Sequence, residues 1–346
     1  MALDIIFILG GLVGLFVGGE WLVRGASRLA RSFGISALVV GLTVVAFGTS
    51  TPELLVSLSA VLGGTQGISI GNVIGSNVAN IGLILGATGL VFPITVRAIL
   101  LKREIPILLA VTVLSYLMWF DGAINRIDGV FLVVGLVAFN AYMVIDSRRR
   151  LDDPEDDMSI EELEIEADED ELIDNSQRLR ELGRLLIGIV VLGVGAQLTV
   201  TGSVNVARAF GISELVIGIT LVAVGTSLPE LATSLVAALR QQSDIAIGNV
   251  VGSNIYNLMG ILGITAIIQP INLQRTDVDF DVIGLLSQPY TVDLTPFQHI
   301  IWVDGPAMII AALLLLPFVI NRKIDRFEAI ILLVLYTSYI IYAVVR

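Results

Sequence analysis

Residues 48–57 read GTSTPELLVS, and residues 225–234 read GTSLPELATS. A second pair of matching runs follows: GNVIGSNVAN begins at Gly71, and GNVVGSNIYN begins at Gly248. The two sets are separated by a constant offset of 177 residues. The chain therefore contains an internal duplication, and a proline followed by a glutamate lies at the centre of each copy.

The duplicated segments are long and gapless. Residues 34–94 align with residues 211–271, and more than half of the paired positions are identical. The likeness continues beyond them, because Asn125-Arg126-Ile127-Asp128 resembles the run from Asn321 to Asp325, each ahead of a final apolar segment. We therefore interpret the whole chain as two related halves.

The composition places both halves in a membrane. The chain has 346 residues, of which 55% are hydrophobic, with a mean hydropathy of +0.89; soluble domains have about 45–50% apolar residues even when glycine is included. Apolar runs of about 20 residues, the length that crosses a bilayer, recur throughout. The first run lacks a basic N-terminal region and is interpreted as a retained helix. We predict ten spans, at residues 4–23, 37–62, 69–91, 104–120, 128–146, 182–201, 213–239, 245–268, 301–319 and 326–345.

The arrangement of these spans predicts an inverted repeat. Five spans lie in residues 1–146 and five in residues 181–346, with a linker at 147–180 and an outer loop at 272–299. Because five is odd, the second half enters the membrane from the opposite side. With both termini extracellular, sixteen Lys and Arg lie on the cytoplasmic side and four outside, which agrees with the positive-inside rule. The sequence thus predicts an all-α polytopic protein of the cell (plasma) membrane, with ten transmembrane helices as two inverted five-helix repeats and a cytoplasmic linker.

The linker accounts for the net charge of −12. Fourteen Asp and Glu and no Lys or Arg lie between Asp152 and Asp174. We interpret this segment as a solvated linker, and leave open a role in gathering cations or in regulation. The chain has no cysteine, which excludes disulfides, thiol catalysis and thiolate metal sites.

Each copy carries one glutamate, Glu53 or Glu230, inside an apolar run. A carboxylate at mid-membrane costs about 2.5–3.5 kcal/mol or more, so such a residue indicates a functional site. Pro52 and Pro229 cannot donate a backbone hydrogen bond, which frees carbonyl oxygens one turn earlier. Carbonyls, hydroxyls and two carboxylates offer oxygen ligands only, and such a site suits a hard cation such as Ca²⁺.

The following span adds polar residues on one helical face. Ser76 and Asn80 are four residues apart, as are Ser253 and Asn257. Four further amides are open to two interpretations, namely a role in the site or hydrogen bonding that pins helices together. These are Asn72, Asn77, Asn249 and Asn254.

The two runs resemble the α-repeats of the cation/Ca²⁺ exchanger superfamily, specifically its Na⁺/Ca²⁺ exchanger branch. The resemblance covers both repeats and the ten-helix plan. It implies a secondary active antiporter in which a cation cluster between the halves is loaded alternately by Ca²⁺ and Na⁺. The ligands that it implies are the backbone oxygens of Ala46 and Ala223 and the side chains of Thr49, Ser50, Glu53, Ser76, Asn80, Thr226, Ser227, Glu230, Ser253 and Asn257.

The resemblance also implies how access switches. The first and sixth helices would slide past the core, and their glycines would suit a loosely packed sliding surface; small-residue packing explains the same glycines. These are Gly10, Gly11, Gly14, Gly18, Gly19, Gly188, Gly193 and Gly195. We expect Ca²⁺ and Na⁺ as substrates, membrane lipid as the surroundings, no cofactor, no nucleic-acid partner and a functional monomer.

Two positions bear on the coupling ion. Asn257 stands where K⁺-dependent relatives carry aspartate, which disfavours K⁺ co-transport. The proton-coupled branch typically carries a glutamate in its GN-x-x-E signature, where this chain has Gly48-Thr49-Ser50, which favours Na⁺. A Ca²⁺/H⁺ antiporter and a cation channel remain alternatives. An intramembrane enzyme is disfavoured, because the sequence has one histidine, no HExxH motif and no nucleophile paired with a base.

Overall fold

The structure, a computed structural model, describes residues 1–33, 35–64, 66–151, 175–210, 223–273, 296–320 and 322–345. These residues are mostly helical. We number the principal helices α1 (Ala2–Ser32), α2 (Ala37–Thr49), α3 (Thr51–Leu62), α4 (Gln66–Val91), α5 (Ile105–Met118), α6 (Arg126–Leu151), α7 (Asn175–Ala209), α8 (Ala223–Thr226), α9 (Leu228–Leu239), α10 (Ser243–Ile268), α11 (Gly305–Ile320) and α12 (Arg326–Val345). The acidic segment 152–174 and most of the predicted outer loop, residues 274–295, lie outside the described residues.

The predicted membrane spans correspond to these helices. Within the described ranges, seven helices are long and apolar enough to cross a bilayer, namely α1, α4, α6, α7, α10, Ile300–Pro317 and α12. The second predicted span consists of α2 and α3, which meet at 44°. The fourth is α5 with the π-helical turn before it, and the seventh consists of α8 and α9 together with residues 213–222, which are not described. The prediction of a helical polytopic protein is confirmed, whereas the arrangement of ten helices as two repeats stays a prediction.

The helix that carries the duplicated proline is broken at a serine in each copy. Ser50 (φ −81°, ψ 5°) separates α2 from α3, and Ser227 (φ −88°, ψ 5°) separates α8 from α9. Pro52 and Pro229 then lie in the first turn of the following helix, where the missing N–H would have no helical partner in any case. Each motif therefore produces a full break with helix ends on both sides of the serine.

Helices α4 and α10 form the centre of the molecule. In the most apolar 18-residue window, 72% of α4 and 78% of α10 is buried, against 22% of α1 and 11% of α12. The large exposed surfaces of the apolar helices α1 and α12 suit a lipid environment. Because α3 packs on α4 and α9 packs on α10, both broken helices lie against the most buried part of the fold.

Helices α1 and α7 pack along their length through glycines. A Cβ atom added to Gly11 would lie 2.6 Å from the carbonyl oxygen of Gly195, and one added to Gly18 would lie 2.7 Å from the backbone nitrogen of Leu192. Only glycine permits so close an approach of two backbones. The interpretation of these glycines as a loosely packed surface is therefore wrong for this pair, since most of them join α1 to α7. Gly19 instead faces α9, and Gly10 and Gly193 have no neighbour within 4 Å of such a Cβ.

Short strands connect the two halves, which the all-α prediction did not include. β1 (Ile94–Thr95) pairs antiparallel with β4 (Lys323–Ile324), and β2 (Ala123–Ile124) pairs antiparallel with β3 (Ile271–Asn272). Each strand buries one isoleucine completely. Since β1 precedes α5 and β2 follows it, the two pairs lie at opposite ends of that helix.

The first turns of α6 and α12, which follow β2 and β4, correct one sequence alignment. Asn125 Oδ1 accepts the backbone N–H of Ile127, and Asp325 Oδ1 accepts that of Phe327. The carboxylates of Asp128 and Glu328 in turn accept the backbone N–H of Asn125 and of Asp325, respectively. Asn125 is thus the counterpart of Asp325, and its pairing with Asn321 is wrong, because the reciprocal capping box and not the shared Asn-Arg letters marks the same position.

Candidate ion-binding site

The broken helices bring the two glutamates into one buried cluster. Glu53 lies in the first turn of α3 and Glu230 in the first turn of α9, and each is 1% exposed. The helix N-terminus there carries unpaired backbone donors and a partial positive charge, which favours a carboxylate in the first turn. The break thus gives both copies a helix end that tolerates a buried acid.

Each carboxylate is held by the serine of the other copy. Ser50 Oγ donates to Glu230 Oε1 at 3.0 Å, and Ser227 Oγ donates to Glu53 Oε1 at 3.4 Å. These exchanged bonds place the two break points side by side. The second oxygen of each carboxylate, Oε2, is buried and has no hydrogen-bond partner among the described residues.

Hydroxyl groups surround this pair of acids. Thr49 Oγ1 is 3.5 Å from Ser253 Oγ, and both residues are buried. The Thr226 side chain contacts the Glu53 carboxylate. Ser76 is buried on α4, one turn before Asn80. Of the predicted hydroxyl ligands, Thr49, Thr226 and Ser253 therefore lie beside the acids or beside one another.

Of the two predicted backbone ligands, Ala46 and Ala223, the structure describes the hydrogen bonds of the Ala46 carbonyl. The Ala46 carbonyl accepts the backbone N–H of Ser50 at 3.0 Å and the Thr49 hydroxyl at 3.3 Å. It is therefore already engaged at the end of α2. Ala223 begins α8, directly after residues that are not described.

The amides of α4 and α10 differ in their hydrogen bonds. Asn80 Nδ2 donates to Asn254 Oδ1 at 3.0 Å, which joins α4 to α10, while Asn77 donates to Val73 of its own helix. Asn257 is 1% exposed, and neither its Nδ2 nor its Oδ1 has a hydrogen-bond partner among the described residues. Asn80 and Asn257 lie at π-helical turns, Asn80–Leu85 and Tyr256–Ile261.

Asn72 and Asn249 hold the carbonyls of the two glutamates. Asn72 Nδ2 donates to Glu53 O at 3.1 Å, and Asn249 Nδ2 donates to Glu230 O at 3.2 Å. The sequence left these amides open between two roles. Their identical place in both copies is the signal that could have indicated a contact with the glutamate-bearing helix.

The chemistry of the cluster is that of oxygen ligands. Two buried carboxylates without a compensating cation would be costly, because a low-dielectric interior strongly disfavours unpaired charge. No group of three or more His, Cys, Asp or Glu that could hold a metal occurs within the described part of the chain. The arrangement suits a cation that accepts carboxylate, hydroxyl and amide oxygens together.

Several known proteins resemble this chain in sequence. The family model described as sodium/calcium exchanger protein matches residues 3–145 and 181–345. The chain is 38% identical over 270 residues to the putative antiporter CaxA of Alkalimonas amylolytica, with 78% of this chain and 82% of that protein covered. It is 31% identical over 371 residues to the sodium/calcium exchanger MaX1 of Methanosarcina acetivorans, with 99% and 98% covered.

A solved structure agrees with these relatives. The sodium-calcium exchanger NCX_Mj, soaked with 10 mM Na⁺ and zero Ca²⁺, matches with a TM-score of 0.77 and 34% identity, and 98% of each chain is covered. The family match spans both halves and nearly the whole chain, and the family comprises ion exchangers and not enzymes. The chain therefore belongs to the sodium/calcium exchanger protein family and is a cation/Ca²⁺ antiporter of the membrane.

Proposed function

We propose that this protein exchanges Na⁺ for Ca²⁺ by alternating access at the cluster around Glu53 and Glu230. The observation that carries the proposal is the exchanged serine–glutamate bonding, which leaves one oxygen on each of two buried carboxylates without a hydrogen-bond partner in the described part of the chain. One Ca²⁺ or about two Na⁺ would neutralise these two charges. An unloaded, doubly ionised cluster would be costly to close off from water, so only the loaded protein would switch access, which produces exchange and prevents leak.

The proposed ligands come from both halves. The first half supplies Ala46 (carbonyl), Thr49, Ser50, Glu53, Ser76 and Asn80, and the second supplies Ala223 (carbonyl), Thr226, Ser227, Glu230, Ser253 and Asn257. The burial of Asn257 supports its inclusion, because its amide oxygen has no hydrogen-bond partner among the described residues and is available to a cation.

The strand pairs support the proposed inverted repeat. The duplication relates β1 to β3, and the capping boxes relate β2 to β4. Exchanging the halves therefore converts the β1–β4 pair into the β3–β2 pair. Because the pairs lie at opposite ends of α5, the exchange must turn the molecule over, with its axis in the membrane plane. The sixteen-to-four distribution of Lys and Arg supports a plasma-membrane orientation with both termini outside.

Na⁺ is the proposed coupling ion, and H⁺ is the alternative. The name of MaX1 describes a sodium/calcium exchanger, and that relative covers almost the whole chain. The name of CaxA states an antiporter without a coupling ion. The Gly48-Thr49-Ser50 run supports Na⁺, since it provides hydroxyls and no titratable group.

Flux measurements in proteoliposomes test the proposal. An outward Na⁺ gradient should drive ⁴⁵Ca²⁺ uptake by the purified protein, and Glu53→Gln and Glu230→Gln should each lower that uptake at least tenfold, since one charge no longer balances Ca²⁺. Glu328→Gln, at the start of α12, is the matched control and should retain uptake.

Three results would change the assignment. Full uptake by both site variants would remove the cluster from transport. Uptake driven by a pH gradient without Na⁺ would favour the Ca²⁺/H⁺ antiporter. Ionic current far above the rate of coupled exchange would favour a channel.

A further inference from the structure

Asn249 occupies a position that joins ligands from the two halves of the cluster. Its Oδ1 accepts the hydroxyl of Thr49 at 3.0 Å, and its Nδ2 donates to the Glu230 carbonyl at 3.2 Å and to Ser234 Oγ at 3.0 Å. It is 0% exposed. One amide therefore contacts a proposed ligand of the first half through its oxygen and the glutamate-bearing helix of the second half through its nitrogen.

Close helix packing creates this contact. A Cβ added to Gly252 would lie 2.5 Å from the carbonyl oxygen of Leu42, and one added to Gly248 would lie 2.9 Å from that of Leu38. Glycine at both positions lets α10 approach the backbone of α2. Asn249 lies next to Gly248, so this approach brings its short side chain within reach of Thr49.

The direction of the hydroxyl proton matters for a cation ligand. A threonine hydroxyl has one proton and two lone pairs. When the proton of Thr49 is donated to Asn249, the lone pairs remain available for a cation. Other acceptors compete for the same proton, since the carbonyls of Val45 and Ala46 lie 3.2 and 3.3 Å away, Ser253 Oγ lies 3.5 Å away, and the Thr49 side chain also contacts the Glu230 carboxylate. The Asn249 oxygen is nearer than the two carbonyls and the serine hydroxyl.

We infer that Asn249 is a positioning residue for the ion site, which fixes the orientation of the Thr49 hydroxyl while it holds the Glu230 carbonyl in place. The inference rests on the proposed function, because it assumes that Thr49 binds the transported cation. In the first copy, Asn72 Nδ2 donates in the same way to the Glu53 carbonyl and to Ser57 Oγ. This repetition supports a positioning role for the two bonds that Asn249 Nδ2 donates.

Equilibrium ⁴⁵Ca²⁺ binding to the detergent-purified full chain tests this inference. Asn249→Leu should weaken Ca²⁺ binding about tenfold, which corresponds to the loss of one buried hydrogen bond and the freedom of its partner to turn. Asn77→Leu is the control, because Asn77 is a buried amide whose hydrogen bond goes to its own helix; binding should stay within about twofold.

A double-mutant cycle distinguishes orientation from a general loss of structure. In a Thr49→Val background, where no hydroxyl remains to be oriented, Asn249→Leu should weaken binding by about threefold instead of tenfold, because only the bond to the Glu230 carbonyl is then lost. If it costs the same tenfold in both backgrounds, Asn249 acts independently of Thr49 and the inference is wrong. Asn249→Ala, which removes the amide without adding bulk against α2, repeats the cycle with a second variant.

The two proposals fail in different ways. If the unmodified protein binds no Ca²⁺, or binds it without competition from Na⁺, the proposed function is wrong. If the unmodified protein binds both ions and Asn249→Leu binds Ca²⁺ equally well, only the positioning role is wrong.

Discussion

At the scale of single residues, we expect a substitution of Asn257 to change ion binding and folding stability in opposite directions. Its amide is buried without a protein partner among the described residues, and an unsatisfied buried polar group costs about 1–3 kcal/mol. Asn257→Leu, a change of similar volume, should raise the melting temperature measured without Ca²⁺ and Na⁺. It should also reduce the shift in melting temperature that Ca²⁺ produces, because a proposed ligand is lost. A variant that keeps the full Ca²⁺ shift would remove Asn257 from the site.

The sequence predicted the residues of the cluster better than their connections. Two acids beside two prolines in duplicated apolar runs are visible in the sequence, and the structure buries both acids together. The exchanged bonds of Ser50 and Ser227, and the contact between Thr49 and Asn249, join residues that are 174 to 200 positions apart. Such pairs depend on the packing of the two halves, which periodicity within one helix does not describe.

At the scale of elements, the turn between α9 and α10 is strained where its counterpart is relaxed. Gln241 has a φ of +59°, and the equivalent position in the first copy is Gly64, with a φ of +83°. The left-handed conformation costs a residue with a Cβ about 1–2 kcal/mol. Glycine avoids this cost, but its greater freedom in the unfolded chain offsets about 0.5–1 kcal/mol of the gain. The adjacent residues bind α1, since Arg240 pairs with Glu20 and Gln242 Nε2 donates to Ser27 Oγ at 3.1 Å. These contacts hold the strained turn.

This difference predicts opposite effects of matched substitutions. Gln241→Gly should stabilise the protein by about 0.5–1 kcal/mol, a rise of about 1–3 °C in melting temperature for a chain of this size. Gly64→Gln should lower the melting temperature by a similar amount, because no described neighbour would lie within 4 Å of the added Cβ and only the backbone conformation is unfavourable. Thermal unfolding in detergent measures both. Equal shifts of the same sign would contradict the strain argument.

Elements also show where sequence patterns fail. The prolines lie beside the breaks, because a proline ring crowds the carbonyl one turn earlier and a helix tends to end before it; the sequence did not indicate that each break falls at a serine. The four short strands were not predicted, since two residues carry no periodicity, and each forms only by pairing with a strand from the other half. The misplaced match of Asn125 with Asn321 has the same origin. Identical letters were aligned, whereas the structure conserves a hydrogen-bonded cap at Asp325.

At the scale of the whole molecule, the proposed inversion predicts the sides of two equivalent turns. Asp121 lies just before β2 and Lys323 lies in β4, both exposed, and β2 and β4 are counterparts in the two halves. The chain has no cysteine, so Asp121→Cys and Lys323→Cys each introduce a single thiol into an unmodified background. With both termini outside, a membrane-impermeant maleimide should label Asp121→Cys in intact cells and Lys323→Cys only after lysis.

Reversed labelling would change the orientation but keep the inversion, because counterparts would still lie on opposite sides. Labelling of both thiols from one side would contradict it, since the π turn Leu100–Glu104 and α5 together are about 28 Å long, enough to separate the two strand pairs by one membrane thickness.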